Sequence, residues 1–183
     1  MQALRRFAAG MDGLSDRIGR ALAWLVWATA AICAVVVVLR YALHETFVWM
    51  QDLYVWSHAI VFLLGTVYAM RRNAHVRVDI LYAKWPVRRR ALVECIGVLV
   101  FTLPWMAVLA WLTWPFIVSS WSIYEGSGQP NGMPGVFLMK TVLLVFCLLV
   151  GLQGLAVLAR GILVLTGDRA AAQEPPFDDS PQS

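Results

Sequence analysis

The sequence predicts an all-α membrane protein built from four transmembrane helices. Sixty per cent of its 183 residues are hydrophobic and only 14% are charged. The mean hydropathy is +0.68, which lies outside the range of soluble globular domains. Four apolar runs cover residues 21–39, 53–70, 91–117 and 141–159, and each holds 18 to 27 residues. About 20 helical residues cross a bilayer, so each run is long enough to span one.

Basic residues flank these runs unevenly. Of the 15 Lys and Arg residues, four precede the first run, seven lie between the second and third, and two follow the fourth. The two remaining connections hold only Arg40 and Lys140. Because Lys and Arg accumulate on the cytoplasmic side of a membrane, the pattern predicts that both termini and the middle loop face the cytoplasm. The net charge of +4 thus reflects membrane topology rather than nucleic-acid binding.

Residues 1–20 are predicted to form an amphipathic cytoplasmic lead helix. Leu4, Met11 and Ile18 recur at helical spacing, with Arg5 and Arg17 elsewhere around the helix. We expect this helix to lie on the inner leaflet, its arginines against anionic lipid; a frayed leader is the alternative. The run that follows is long enough to span the membrane and has no cleavage pattern after it, which favours an uncleaved anchor.

A second interfacial amphipathic helix is predicted between helices 2 and 3, where Val76, Ile80 and Val87 share one face. The third run contains Pro104, which is expected to bend it. The glycines and prolines of residues 119–135 predict an irregular outer loop.

These elements divide the chain into three parts. The lead helix covers residues 1–20, and a four-helix transmembrane domain covers residues 21–166. Residues 167–183 are polar and proline-rich, which predicts a disordered cytoplasmic tail.

Few side chains within the runs are able to carry chemistry. His58 lies about two turns into the second run, and Gln51 and Asp52 lie at its outer edge. Haem ligation and proton relay both require a partner for His58 that the sequence does not offer, so an interhelical hydrogen bond is the favoured interpretation. Asp52 has three interpretations: an ion pair with Arg40 or Lys140, a contact with a partner protein, or a solvated carboxylate.

The sequence predicts no enzyme and no cofactor or metal site in this chain, because it has no nucleophile–base set, metal-ligand cluster or phosphate-binding loop. Cys33, Cys95 and Cys147 are interpreted as apolar packing residues. Gln153 precedes Gly154 in the fourth run. This pair predicts a close helix contact with a hydrogen bond across it.

Three stretches, in order, resemble a known family. The first is WMQDL at 49–53, and the second runs from LLG at 63–65 to RRNAHVRVD at 71–79. The third begins with SW at 120–121, continues through EGS at 125–127 and NGMP at 131–134 to Lys140, and is followed by QG at 153–154. Together they resemble the small membrane subunit (DctQ-like) of tripartite ATP-independent periplasmic (TRAP) transporters. The chain departs from that pattern in having Gln51-Asp52 rather than a glutamate pair, and NGMP where GGLP is commoner.

The resemblance implies a small scaffold subunit in a bacterial inner membrane. It implies a large multi-span permease subunit that carries the Na⁺ and substrate sites, and a periplasmic solute-binding protein that delivers an organic acid or related solute. The second and fourth spans are the first places to expect the subunit interface. The candidate interface or structural polar residues are Gln51, Asp52, His75, Asp79, Glu125 and Gln153.

Two other classes of function compete with this one. The first is a self-sufficient small transporter or channel acting as an oligomer, which would carry solute in liposomes containing this chain alone. The second is a membrane cytochrome or redox subunit that uses His58, which haem absorbance would reveal. The sequence does not name the substrate, because in the scaffold interpretation the substrate never contacts this chain.

Overall fold

The computed structural model describes residues 1–74, 85–168 and 170–177, and this part of the chain is helical. Four helices are long and apolar enough to cross a membrane, so the prediction of four such helices is confirmed. They are α1 (Gln2–Ala42), α2 (Val48–Arg71), a third span (Val87–Ser122) and α5 (Val136–Leu165). The third span consists of α3 (Val87–Gly97), a π-helical turn (Val98–Thr102) and α4 (Leu103–Ser122).

Helix α5 lies at the centre of the bundle. It packs against α1, α2, α3 and α4, whereas α4 packs mainly against α5. Residues from Val150 to Val164 supply most of the buried side chains of α5, including Ala156 and Leu163. The third span therefore lies at one edge of the bundle, and its outer surface is free to meet lipid or another protein.

Two glycines of α5 allow the third span to approach closely. A Cβ atom at Gly161 would overlap the Sγ of Cys95 and would lie 3.4 Å from the carbonyl oxygen of Ala91. A Cβ at Gly154 would lie 3.4 Å from side-chain atoms of Val98 and Thr102. Small residues of this kind let membrane helices pack backbone to backbone, where dispersion is the main attraction.

Helix α1 differs from the expected arrangement of a separate lead helix and span. It runs unbroken from Gln2 to Ala42, so the interfacial placement of residues 1–20 is not confirmed. The lead segment instead packs onto the bundle, with Ala8 and Met11 buried against Ala156 of α5. The physical reason is that no proline interrupts the helix between the lead and the span, and the lead has its own apolar stripe to bury.

The third span contains a local irregularity at the predicted bend. The π-helical turn ends just before Pro104, and Pro115 lies further along α4. Proline lacks a backbone N–H and crowds the preceding turn, and a wider π turn accommodates such a disturbance.

The tail also differs from expectation. Ala171 and Phe177 are buried with Ala91, Leu163 and Val164, so this part of the tail packs on α3 and α5 rather than being free in solution. The apolar residues of the tail pack against α3 and α5, and composition alone does not predict such a tertiary contact. The predicted interfacial helix between helices 2 and 3 falls largely on residues 75–84, which lie outside the described residues.

Candidate functional site

Polar side chains gather at both ends of the bundle. The terminal cluster lies where the first half of α1 meets the end of α2 and the second half of α5. It comprises Asp12, Ser15, Asp16, Arg71, Arg72, Gln153 and Arg160. The loop cluster lies at the opposite end and comprises Asp52, Glu125, Lys140 and the loop at 123–135. Asp52 and Arg71 lie on the same helix, roughly 28 Å apart at the usual rise per residue. This spacing matches a hydrocarbon core of about 30 Å.

Asp12 is the centre of the terminal cluster. Its carboxylate accepts a hydrogen bond from Nη1 of Arg160 at 2.6 Å and a longer one from Nε2 of Gln153 at 3.4 Å. The Nε of Arg71 lies 3.8 Å away. Arg160 is only 2% exposed, so its guanidinium depends on the Asp12 carboxylate for charge compensation.

Gln153 joins the same cluster from α5. It is fully buried, and its Oε1 accepts a hydrogen bond of 3.0 Å from the hydroxyl of Ser15, which is also fully buried. Its amide thus contacts Ser15 and Asp12 of α1 at once. Because an unsatisfied buried amide is costly, this arrangement fixes the register between α1 and α5.

Asp16 extends the cluster to the end of α2. Its carboxylate lies 2.9 Å from Nη1 of Arg71 and 3.8 Å from Nη2 of Arg72. Asp12 and Asp16 are one helical turn apart and so share a face of α1. The terminal cluster therefore ties α1, α2 and α5 together at one level of the bundle.

At the other end, Asp52 holds the outer loop. Its Oδ2 accepts a hydrogen bond of 2.9 Å from the backbone N–H of Met133. The loop closes on itself through a bridge between Gly126 and Pro134. A Cβ at Gly132 would overlap the side chain of Ser127. Among the described residues, the partner of Asp52 is thus a backbone amide rather than Arg40 or Lys140, the ion pair of the first interpretation.

Glu125 and Lys140 form the second contact of the loop cluster. The ammonium of Lys140 lies 2.5 Å from Oε2 of Glu125 and 3.7 Å from the ring centroid of Phe116. The hydrogen bond from Lys140 holds the pKa of the Glu125 carboxyl below its ordinary value. Nearby, Nε1 of Trp121 donates to the hydroxyl of Thr141 at 2.9 Å. These contacts join the end of α4 to the start of α5.

The lowered pKa of Glu125 predicts an acid-sensitive loop cluster. The ionised Glu125 carboxylate contributes its full stabilisation above about pH 4.3, the pKa of a glutamate carboxyl in the unfolded chain. This stabilisation is lost as the pH falls through the lower pKa that Glu125 has in the folded protein. We expect Glu125→Gln to lower the unfolding temperature at neutral pH and to flatten its fall in acid. Thermal unfolding in detergent across this range measures both effects. Glu45→Gln, at an exposed carboxylate, is the control; identical profiles for the two variants would contradict the prediction.

The remaining predicted residues are distributed as follows. Gln51 is half-buried at the start of α2. His75 and Asp79 lie outside the described residues. His58 is exposed on α2 and, in the described part of the chain, makes no hydrogen bond to a neighbouring helix, so the predicted interhelical bond is not found within this chain.

Sequence reasoning missed most of the terminal cluster. Asp12 and Asp16 lie outside the apolar stripe of the lead helix, and Arg160 is one of the two basic residues that follow the fourth run; neither position by itself predicts a contact. Two signals were present: acidic residues spaced by four within an arginine-rich segment, and Gln153 and Arg160 spaced by seven on one face of α5.

The comparison with protein families decides the identity of the chain. A family model described as "Tripartite ATP-independent periplasmic transporters, DctQ component" matches residues 29–164. The chain belongs to the DctQ family. The comparisons with curated proteins and with solved structures give no match.

Membership places this protein among the small subunits of TRAP transporters, as the resemblance implied. DctQ is a transporter component family and not an enzyme family. The matched range contains α2, the third span and almost all of α5. It also contains Asp52, Glu125 and Gln153, whereas Asp12 and Asp16 lie before it.

Proposed function

We propose that this DctQ protein is the scaffold subunit of a sodium-coupled TRAP transporter in a bacterial inner membrane. It braces a large multi-span permease subunit, which carries the Na⁺ and substrate sites. A periplasmic binding protein delivers an organic acid or related solute to that subunit. The observation that carries the proposal is the family match over residues 29–164.

The polar clusters support a bracing role. At one end Asp12 pairs with both Arg71 and Arg160, and at the other end Glu125 pairs with Lys140. Helices fixed at both boundaries of the membrane form a rigid body, which is what a scaffold requires. The apolar stretches between the clusters suit contact with lipid and with another membrane protein.

The proposed orientation has both termini and the 75–84 segment in the cytoplasm. The distribution of Lys and Arg supports it. The loop cluster then lies at the periplasmic boundary, on the side from which a binding protein approaches. The variants Glu45→Cys and Gln2→Cys test this orientation. A membrane-impermeant thiol reagent, added to intact spheroplasts, is expected to label position 45 and not position 2.

Reconstitution tests the proposed function. Liposomes with this chain and the large subunit, supplied with loaded binding protein and a sodium gradient, are expected to take up solute. Liposomes with either membrane subunit alone are expected to remain at background. Solute flux through this chain alone would contradict the scaffold role and support the self-sufficient oligomeric transporter.

A further inference from the structure

A groove of about 430 Å³ runs along the outside of the bundle between α1 and α2. Its polar lining includes Thr29 of α1 together with Tyr54 and His58 of α2. His58 follows Asp52 by six residues, which places it about 9 Å deeper along the helix axis. Because Asp52 lies at the membrane boundary, His58 lies at the depth of the hydrocarbon core.

The groove presents unused hydrogen-bonding groups. The hydroxyl of Thr29 already donates to the carbonyl oxygen of Leu25 at 2.7 Å. In the described part of the chain, neither Tyr54 nor His58 has a hydrogen-bond partner. These two side chains are one helical turn apart on the same face of α2. An imidazole in hydrocarbon without a partner is unfavourable, so the occupant of this groove must offer a donor or acceptor.

A second groove shows what a purely apolar surface looks like in this protein. It lies between α4 and α5, measures about 480 Å³, and is lined by aliphatic residues that include Leu103, Leu144 and Leu148. Lipid acyl chains satisfy such a lining fully. They do not satisfy His58, since they carry neither donors nor acceptors.

We propose that a transmembrane helix of the large permease subunit lies in the α1–α2 groove and presents a hydrogen-bonding side chain to His58. This inference rests on the proposed scaffold function and names the surface that performs it. Val26 of α1, which is 49% exposed, and Val61 of α2 line the groove beside His58. They become buried against the incoming helix, while His58 sets its register.

Site-directed photocrosslinking in the complete complex tests the proposal. One variant carries p-benzoylphenylalanine in place of His58, and the control carries it in place of Trp114. Trp114 is 56% exposed on α4 and precedes Trp121, at the same end of the bundle as Asp52, by seven residues. It therefore lies about 10 Å below that end along the helix axis, a depth similar to that of His58. Illumination of native membranes is followed by mass spectrometry of the products.

The expected result is an adduct between this chain and the large subunit from position 58 and none from position 114. Suppose that the large subunit copurifies with the unmodified chain. An adduct between two copies of this chain, or adducts with lipid alone, would then overturn the proposal. If the large subunit does not copurify with the unmodified chain at all, the proposed function itself fails. The two failures are therefore distinguishable.

Two substitutions provide a second measurement. His58→Leu keeps the bulk of the side chain and removes its hydrogen bond, and is expected to weaken association with the large subunit by roughly three- to twenty-fold. His58→Gln keeps a donor and an acceptor and is expected to retain most of the association. Equal recovery of the large subunit with both variants would contradict a polar contact at this position.

Discussion

Replacing Asp12 with alanine is expected to destabilise the protein by about 3–5 kcal/mol, because it removes the counter-charge of a buried arginine. Arg160 is 2% exposed and its Nη1 lies 2.6 Å from the Asp12 carboxylate. The same substitution deprives Gln153 of one acceptor. Thermal unfolding in detergent measures the loss.

Two further variants make the Asp12 result specific. Glu45→Ala removes an exposed carboxylate and is expected to change stability little. The double variant Asp12→Leu with Arg160→Met replaces the ion pair with apolar groups and is expected to recover most of the lost stability. An Asp12→Ala protein as stable as Glu45→Ala would show that the terminal cluster does not hold the bundle together.

Gly161→Ala is expected to destabilise the protein by about 1–3 kcal/mol through overpacking between α5 and α3. A Cβ at this position overlaps the Sγ of Cys95. Gly151→Ala is the matched control, because it lies on the same helix and its Cβ would meet no atom within 4 Å. The control is expected to be neutral or slightly stabilising, since alanine favours helix over glycine.

A double-mutant cycle assigns the effect to this contact. In a Cys95→Ala background, Gly161→Ala is expected to cost less than in the wild type, since the overlapping sulfur is gone. Equal costs in both backgrounds would locate the strain elsewhere. The cycle is measured by thermal unfolding of the four proteins under one detergent condition.

The four helices could be predicted from sequence because membrane insertion depends on local hydropathy and flanking charge. The boundaries were harder to predict. The third helix begins at Val87 rather than near Ala91, since Arg88 to Arg90 form its first turn, outside the apolar run. The lead segment is helical as part of α1, but its apolar residues Ala8 and Met11 pack against Ala156 of α5, a neighbour that local periodicity does not identify.

The polar clusters depend on contacts that are remote in sequence. Asp12 and Arg160 are 148 positions apart, and Asp52 and Met133 are 81 apart. Asp52 and Gln153 stood out because polar residues near or within apolar runs are unusual. Asp12 and Arg160 did not, because charged residues beside a membrane boundary are common. Their pairing follows from the packing of α1 on α5, which one sequence alone does not specify.

The scaffold role is tested most directly by purifying this chain, tagged and in gentle detergent, from its native membrane and identifying by mass spectrometry what accompanies it. We expect a larger multi-span permease subunit in a stoichiometric amount. Recovery of this chain alone, intact and folded, would contradict the scaffold role.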